Sequence, residues 1–555
     1  MRDRSRAEQL RRIAEIALIA LLAFAAVGTG IRGVGIGSGE NAFFVFGAED
    51  EVVYGHAAAR MVSTGQWGTS VYLGRLLLNK PPLLMWSGAT AMRLFGVSPG
   101  TLRLPVVLAG ALCCVLLYLW MRRTGQPVAT ACTATILLAG NPFLHLMARK
   151  FMTDMLLTLW ITLAAFVLGQ DLRLQRRWSA FAYGALSGAA IMTKSAAGLI
   201  PLMVLGLYWL VAGKQERPAF RRVLIACGSA VVVAAPWHVY EFVVHRDWFV
   251  TEYLKIQLIG VGIALPAPAG EPKLWFYLRA LALSDPVLAV LSLTALPALA
   301  MAWKGGLARL LTSWIAVVAI CLAAFSNRST YYVLPVVPAL ALLSARFSPL
   351  VRGRRTAWLA TGILLAVFCV KAGVPDRVWG LDFRQGTTVR AASALDAYAR
   401  LNRANELVVV SPDDQLYSSV IDLPKVRYAW IAPSIDYFDT PRFLYWLGII
   451  VTADELCRPV NDPLYAQRLR AWGAPDSSAM ATVAMARSGR ELADAIRCSP
   501  QRDFFLPDDM ESLAREAGLP AHRLVRLGAE RFFLLATDSS PRPKGPPVPG
   551  TLVFH

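Results

Sequence analysis

The sequence predicts a polytopic α-helical membrane protein of about eleven spans, with amphipathic helices on its outer face and a soluble α/β domain near its C-terminal end. Three observations predict it. Of 555 residues, 56% are hydrophobic and 17% charged, and the mean hydropathy of +0.47 excludes an ordinary soluble globule. Apolar runs recur along the first two thirds of the chain. Beyond about residue 375 charged residues become frequent and short β-like runs replace the long apolar ones.

Runs long enough to cross about 30 Å of hydrocarbon fall near 13–31, 104–121, 127–147, 154–169, 179–193, 197–212, 222–240, 284–302, 307–325, 332–345 and 356–374. Basic residues gather in alternate connections: 2–12, 122–123, 173–177, 214–222, 304–309 and 346–355. Such loops stay cytoplasmic. Loops 32–103, 148–153, 194–196, 241–283 and 326–331, and everything after about residue 375, are therefore expected outside. The first span follows a charged segment and is read as a retained anchor, not a cleaved signal. The net charge of +19 follows mostly from this bias, with the lipid bilayer and its anionic headgroups as the expected partner; no basic patch interleaved with aromatics argues for nucleic acid.

The expected domains are a transmembrane domain over 1–374, an α/β domain over 375–540 and a flexible tail over 541–555. Within the second, β-like runs at 407–410, 426–431, 448–451, 504–506 and 531–535 alternate with helix-like stretches at 390–402 and 508–518. Six of the eight cysteines fall in spans, where they behave as small apolar residues. Cys457 and Cys498 lie in the outer domain, paired or as free thiols.

The polar residues that carry chemistry cluster in outer segments. Glu49-Asp50-Glu51 opens an amphipathic stretch at 52–64, with Tyr54 one turn on. Acids favour a helix's first turn, so a capping role stands beside a catalytic one. Asn79-Lys80-Pro81-Pro82 precedes the apolar stretch 83–95 and holds an ammonium on a stiff turn, suited to a phosphate contact or to snorkelling. Arg149, Lys150 and Asp154 share a short connection, where a local ion pair at helical spacing is the plain alternative. Thr193-Lys194-Ser195 and the segment Phe325 to Tyr332, with Arg328, Tyr331 and Tyr332, add cations and hydroxyls. His238 and His245 are weak candidates for a divalent metal: their spacing fits no recognised site, and no cofactor is assigned. The aromatics Trp275-Phe276-Tyr277 read as interfacial belt.

Taken together these motifs resemble the GT-C glycosyltransferases that use polyprenyl-phosphate sugars, a group including protein O-mannosyltransferases and the bacterial aminoarabinose transferases of lipid A. The resemblance is carried by Glu49-Asp50-Glu51 with Tyr54, Thr64-Gly65-Gln66-Trp67, Lys80-Pro81-Pro82-Leu83 with Trp86, and Arg103-Leu104-Pro105. Asn141-Pro142, Arg149 to Asp154, Thr193-Lys194, Pro236-Trp237, and Phe325-Ser326 leading to Tyr332-Val333-Leu334-Pro335 complete it. It covers about residues 45–345. Val53 stands where the family often has arginine, Asn79 where an acid often precedes Lys-Pro-Pro, and Ser195 where glycine usually follows the second lysine. The lysine expected between Phe-Ser and Tyr-Leu-Pro is absent, with Arg328 as its replacement.

The resemblance implies transfer of a sugar from a polyprenyl-phosphate donor, with inversion at C1, to a glycolipid, another glycan or a protein at the periplasmic face of a bacterial inner membrane. It assigns catalysis to Asp50 and Asp154, donor-phosphate binding to Lys80, Lys194 and Arg328, and substrate positioning to Glu51, Tyr54, Arg149, Tyr331 and Tyr332. A lipid-binding protein or transporter is the contrasting class; transport leads one to expect paired repeats with interrupted spans, which the sequence does not display. An O-antigen-ligase-like enzyme is the nearer rival, against which the Lys-Pro-Pro and acidic motifs argue.

Overall fold

The computed structural model describes residues 14–25, 27, 49–72, 75–97, 99–250, 252–255, 257, 259, 272–325, 328–351, 355–356, 358–359 and 361–363, and beyond these eight strands with residues 494 and 497–498. The predicted helices 390–402 and 508–518, Cys369, Cys457 and most of the tail lie outside this set. Two compact units divide the chain, one of residues 1–36, 78–96 and 100–381, the other of 37–77, 97–99 and 382–555.

The first unit is helical: α1 (Ala14–Ala25), then, after α2 of the second unit (Glu49–Thr64), α3 (Leu83–Phe95), α4 (Pro99–Arg123), α5 (Val128–Ala139), α6 (Pro142–Ala148) and α7 (Thr153–Gln170). It continues with α8 (Ser179–Lys194), α9 (Ile200–Val211), α10 (Phe220–Phe249), α11 (Lys273–Ser284), α12 (Pro286–Met301), α13 (Gly306–Ala324) and α14 (Val337–Phe347). Among the described residues six helical stretches are long and apolar enough to cross a membrane, or up to eight if each of two bent pairs is one span. One of the six, Ser179–Val211, is not straight. The Tyr183 hydroxyl donates to the Pro201 carbonyl, groups that an unbroken helix would hold about 27 Å apart. The chain reverses at Ser195, so α8 and α9 are two arms where the sequence reading places two spans. Predicted loop 241–283 is partly helical, since α10 runs on to Phe249 and α11 begins at Lys273.

Close backbone approach sets the packing of α8 on α10. A side chain at Gly184 would meet the Ala226 carbonyl at 2.1 Å, and one at Gly188 would meet Val233 Cβ at 2.6 Å. Small residues four apart on one helix thus receive the backbone of the next, the usual contact between helices in lipid.

The bent pairs are α5 with α6, at 61°, and α11 with α12, at 115°. A break between packed helices frees backbone groups that must find partners once buried, and a side chain serves each one. Asn141 Oδ1 accepts from the amides of Phe143 and Leu144 at the start of α6, and Asp285 Oδ1 accepts from Leu288 N at 3.1 Å at the start of α12. Proline follows both as the first helical residue, where its missing N–H costs nothing. The caps also join, Asn141 Nδ2 donating to Asp285 Oδ2 at 2.9 Å, so the two breaks are locked to each other.

The basic connections share one end of the bundle. Arg122 pairs with Glu15 at 3.4 Å, Arg222 donates to the Gln175 carbonyl at 3.1 Å, and Arg309 pairs with Glu216 at 2.9 Å. Since α7 runs away from Thr153 toward this end and α8 returns from it, Asp154 and Lys194 come together at the other.

In the second unit α2 ends at Gly65, whose φ of +73° suits a residue without Cβ, and it packs on a hairpin of β1 (Val71–Tyr72) and β2 (Arg75–Leu76). An eight-stranded sheet comprises β3 (Glu406–Ser411), β4 (Val426–Ile431), β5 (Ile450–Thr452), β6 (Val483–Ala486), β7 (Arg502–Pro507), β8 (Arg523–Leu527), β9 (Glu530–Leu535) and β10 (Val553–Phe554), in the order β10-β8-β9-β7-β3-β4-β6-β5. β7, β3, β4, β6 and β5 are parallel, and β9, β8 and β10 continue the sheet antiparallel. The five predicted β-like runs all overlap strands. β6, β8 and β10 were not foreseen: β6 is a short run of small residues, β8 carries arginines, and β10 falls in the predicted tail. Cys498 is disulfide-bonded, while Cys113, Cys114, Cys132, Cys227 and Cys321 are free.

Asp285→Ala removes an N-cap and leaves the Asn141 amide without its acceptor, at a combined cost of about 2–4 kcal/mol. Equilibrium unfolding in mixed detergent micelles measures it, and an unchanged midpoint would count against the lock.

Candidate functional site

The far end of the helical unit is built around an ion pair between a buried carboxylate and a half-buried ammonium. Asp154, in the first turn of α7, is 2% exposed, and Lys194 Nζ reaches its Oδ1 at 2.6 Å. Lys194 ends α8, and its ammonium also lies 4.3 Å from the centre of the Tyr332 ring. The ring face is electron-rich and holds a cation with little desolvation loss. Neighbouring bonds stiffen the pair: Thr158 Oγ1 donates to the Asp154 carbonyl at 2.8 Å, and Trp160 Nε1 donates to Thr193 Oγ1 at 3.0 Å. The ion pair that the sequence offers for Asp154, with Arg149 or Lys150 nearby, is here made across two helices.

The turn after Lys194 is tight. Gly198 comes so close to α8 that a Cβ there would meet the Ala190 carbonyl at 2.3 Å. Ser195 carries φ +42°, a conformation glycine adopts freely and other residues only under strain. That is the physical reason a glycine is expected there, and it puts a strained residue directly after the lysine.

The remaining predicted residues divide. Tyr331 and Tyr332 meet edge to face with ring centres 5.1 Å apart, and Tyr331 feels the charges of both Asp154 and Lys194. The Arg328 guanidinium lies 6.0 Å from the centre of the Phe276 ring, and it acts with Lys194 on the buried Tyr277. Lys80 is 8% exposed, on the turn that leads through Pro81-Pro82 into α3. Arg149 follows α6 as its C-terminal cap residue. Asp154, Lys194, Arg328, Tyr331 and Tyr332 are thus brought together. Asp50, Glu51 and Tyr54 belong to α2 of the second unit, where Glu51 and Tyr54 are buried.

His238 does not fit a metal ligand. Its Nδ1 bonds the Ala234 carbonyl at 2.8 Å and its Nε2 the Tyr253 hydroxyl at 2.7 Å, so both ring nitrogens are taken. His245 lies 3.6 Å from Glu241. Among the described residues no three His, Cys, Asp or Glu side chains converge as a metal site.

Sequence reasoning missed Asp285, Glu252 and the place of Tyr277. Asp285-Pro286 is a helix-start signature that signals the first. Glu252, which accepts from the Leu78 amide at 2.9 Å, has no local signal: it is one acid in a mixed-charge loop. Tyr277 reads as membrane belt until the fold brings Arg328 to it.

Comparison with known proteins bears on the fold that carries these residues. The profile of the dolichyl-phosphate-mannose-protein mannosyltransferase family matches residues 79–240. An uncharacterized protein of Aquifex aeolicus is 25% identical over 305 residues, covering 54% of this chain and 58% of that one. The undecaprenyl phosphate-alpha-4-amino-4-deoxy-L-arabinose arabinosyl transferase of Edwardsiella ictaluri is 25% identical over 308 residues, covering 54% of each. The chain spans about half the length of the curated relatives it matches. Among solved structures, ArnT from Cupriavidus metallidurans superposes with a TM-score of 0.65 at 15% identity, over 97% of this chain and 100% of that one. The same protein bound to undecaprenyl phosphate gives 0.65 at 16% identity, over 96% and 99%. These likenesses show the fold. The relatives and solved structures that the chain resembles are named for the aminoarabinose-transferase side of the expected resemblance.

Lys194→Met leaves the buried Asp154 carboxylate uncompensated and is expected to cost about 3 kcal/mol; Asp154→Ala leaves a half-buried ammonium and is expected to cost less. The double variant should cost less than the sum, with a coupling of about 1–3 kcal/mol. Unfolding measured over the four proteins checks this; additive losses would show that the pair contributes nothing.

Proposed function

We propose that this chain is an integral membrane glycosyltransferase that moves a sugar from a polyprenyl-phosphate donor to an acceptor at the periplasmic face of a bacterial inner membrane, with inversion at C1. The acceptor is a glycolipid such as lipid A or another cell-envelope glycan. The observation that carries this reading is the assembly of the buried Asp154 carboxylate with the half-buried Lys194 and Tyr332, at the bundle end opposite the basic connections. Basic loops favour the cytoplasm, so the assembly faces away from cytosolic nucleotide sugars and toward lipid-linked ones. The relatives named for undecaprenyl-phosphate-linked aminoarabinose, and the undecaprenyl phosphate bound by the Cupriavidus protein, support the donor class. A protein acceptor is the second reading, supported by the protein mannosyltransferase profile over 79–240.

The chemistry follows from where charge develops. As the bond between C1 and the phosphate oxygen breaks, its electron pair leaves with the phosphate and C1 becomes cation-like. Fixed positive charge at that oxygen lowers the barrier. Lys80, Lys194 and Arg328 supply it. An ammonium has three donors; Asp154 takes one of those on Lys194 and the Tyr332 face supports the charge, leaving a donor for a phosphate oxygen. Asp154 then supplies the half-buried cation with a counterion before the donor arrives. Tyr331 and Tyr332 border the sugar, with Arg149 as a further positioning group.

Asp50 keeps the catalytic role its motif assigns. Its carboxylate takes the proton of an acceptor hydroxyl as that oxygen bonds C1; an acceptor phosphate is already anionic and needs only orientation. Glu51 and Tyr54 position the acceptor side.

Reconstituted protein supplied with a polyprenyl-phosphate sugar tests the reading. Asp50→Asn should lower kcat by about 10²-fold or more, the scale of a lost general base, and Lys80→Ala should weaken donor turnover by about tenfold or more. Undiminished transfer by a well-folded Asp50→Asn protein would remove Asp50 from the mechanism. Mass spectrometry of a deletion strain, searching for accumulated polyprenyl-phosphate sugar and an unmodified envelope glycan or protein, identifies the acceptor.

A further inference from the structure

The Lys80 and Lys194 turns come from distant stretches of sequence, and one short segment reaches both. Glu252 is 2% exposed, and its Oε2 accepts from the Leu78 amide at 2.9 Å, two residues before Lys80. Its neighbour Tyr253 lies beside Ser195, the strained residue that follows Lys194. Tyr253 is itself fixed. The Ala234 carbonyl can only accept, so His238 Nδ1 carries the hydrogen there, and Nε2 accepts from the Tyr253 hydroxyl at 2.7 Å. Burial pushes that hydroxyl up to about 12, so it stays a neutral donor at ordinary pH. Trp237 and Phe249 pack around it, with Phe249 stacked on the Tyr253 ring at 4.9 Å. These contacts hold the Tyr253 ring against α10.

We propose that Glu252 is a positioning residue for the donor-phosphate site: by holding the Leu78 amide it fixes the turn that aims Lys80, and with Tyr253 it sets that turn against the one bearing Lys194. The inference rests on the lipid-phosphate reading of those lysines. A carboxylate accepting a backbone N–H makes a charge-assisted bond of well-defined direction, and in a buried place it holds the backbone more firmly than a solvated acid does. Asn79, at the position before Lys80 where an acid is expected, leaves that segment without a carboxylate of its own. Glu252 brings one to the adjacent amide from 174 residues away. A lysine misplaced by about 1 Å loses much of its contribution, which makes the anchor consequential although it touches no substrate.

Binding of undecaprenyl phosphate to the purified full chain in detergent, measured for wild type, Glu252→Ala, Lys80→Ala and the double variant, tests this. Glu252→Ala should weaken binding by about tenfold, and in the Lys80→Ala background it should add nothing, because it acts through Lys80. Glu252→Gln, whose amide oxygen still accepts from Leu78, should bind within about threefold of wild type. If Glu252→Ala does not fold, Glu252→Asp, which withdraws the carboxylate by one methylene, should show the same coupling to Lys80→Ala at smaller amplitude. Wild-type affinity in Glu252→Ala, losses that multiply with Lys80→Ala, or Glu252→Gln as weak as Glu252→Ala would each overturn the inference. A wild-type protein that does not bind the probe overturns the lipid-phosphate reading instead.

Discussion

A carboxylate buried away from water must be matched, and the pairing of Asp154 with Lys194 meets that constraint at the centre of the described site. Two ions transferred into an apolar interior cost several kcal/mol each, which only a close partner offsets. The pair at 2.6 Å therefore requires the start of α7 and the end of α8 to be held side by side. The surrounding geometry serves that requirement. Gly184 and Gly188 let α8 lie directly on α10, and the reversal at Ser195 brings α9 back along α8. The 3-10 stretch before α14 delivers Tyr332 beneath the ammonium.

The same constraint acts on backbone. Both bent helix pairs expose amides at their breaks, and Asn141 and Asp285 satisfy them while bonding each other. Hydroxyl pairs continue the pattern between helices, Thr133 with Thr361 at 3.0 Å and Ser292 with Ser344 at 3.0 Å. Each puts a polar group against another polar group instead of lipid. The bundle is thus divided by chemistry. One end carries arginines paired with acids and carbonyls, and the other carries a buried acid with a half-buried cation and two tyrosines.

How much of this was legible in the sequence depended on the range of the interactions. Helix and loop chemistry is local, so the helix of 49–64 after its acidic start, the stiff turn before α3 and the bounds of α7 were readable to within a few residues. The main β runs of the second unit were readable for the same reason. Asp154 was not: its sequence neighbours Arg149 and Lys150 suggest a partner one turn away, while the antiparallel packing of α7 and α8 supplies Lys194. Glu252 lay deeper still, because its meaning comes from an amide brought next to it by folding. The reason for a glycine after Lys194 was also hidden until the backbone showed a positive φ at Ser195. The motif resemblance bridged part of this gap, since it grouped Lys80, Lys194 and Asp154 before any geometry joined them.

The claim on which the account turns is that a lipid phosphate sits at the Asp154–Lys194 end. An experimental map of the full chain with bound undecaprenyl phosphate tests it most directly. The account predicts phosphate density within hydrogen-bonding reach of Lys194 Nζ, about 3 Å, with Asp154 and Tyr332 still beside the ammonium. Phosphate density among Arg122, Arg222 and Arg309 at the opposite end, with the Lys194 site bare, would contradict it.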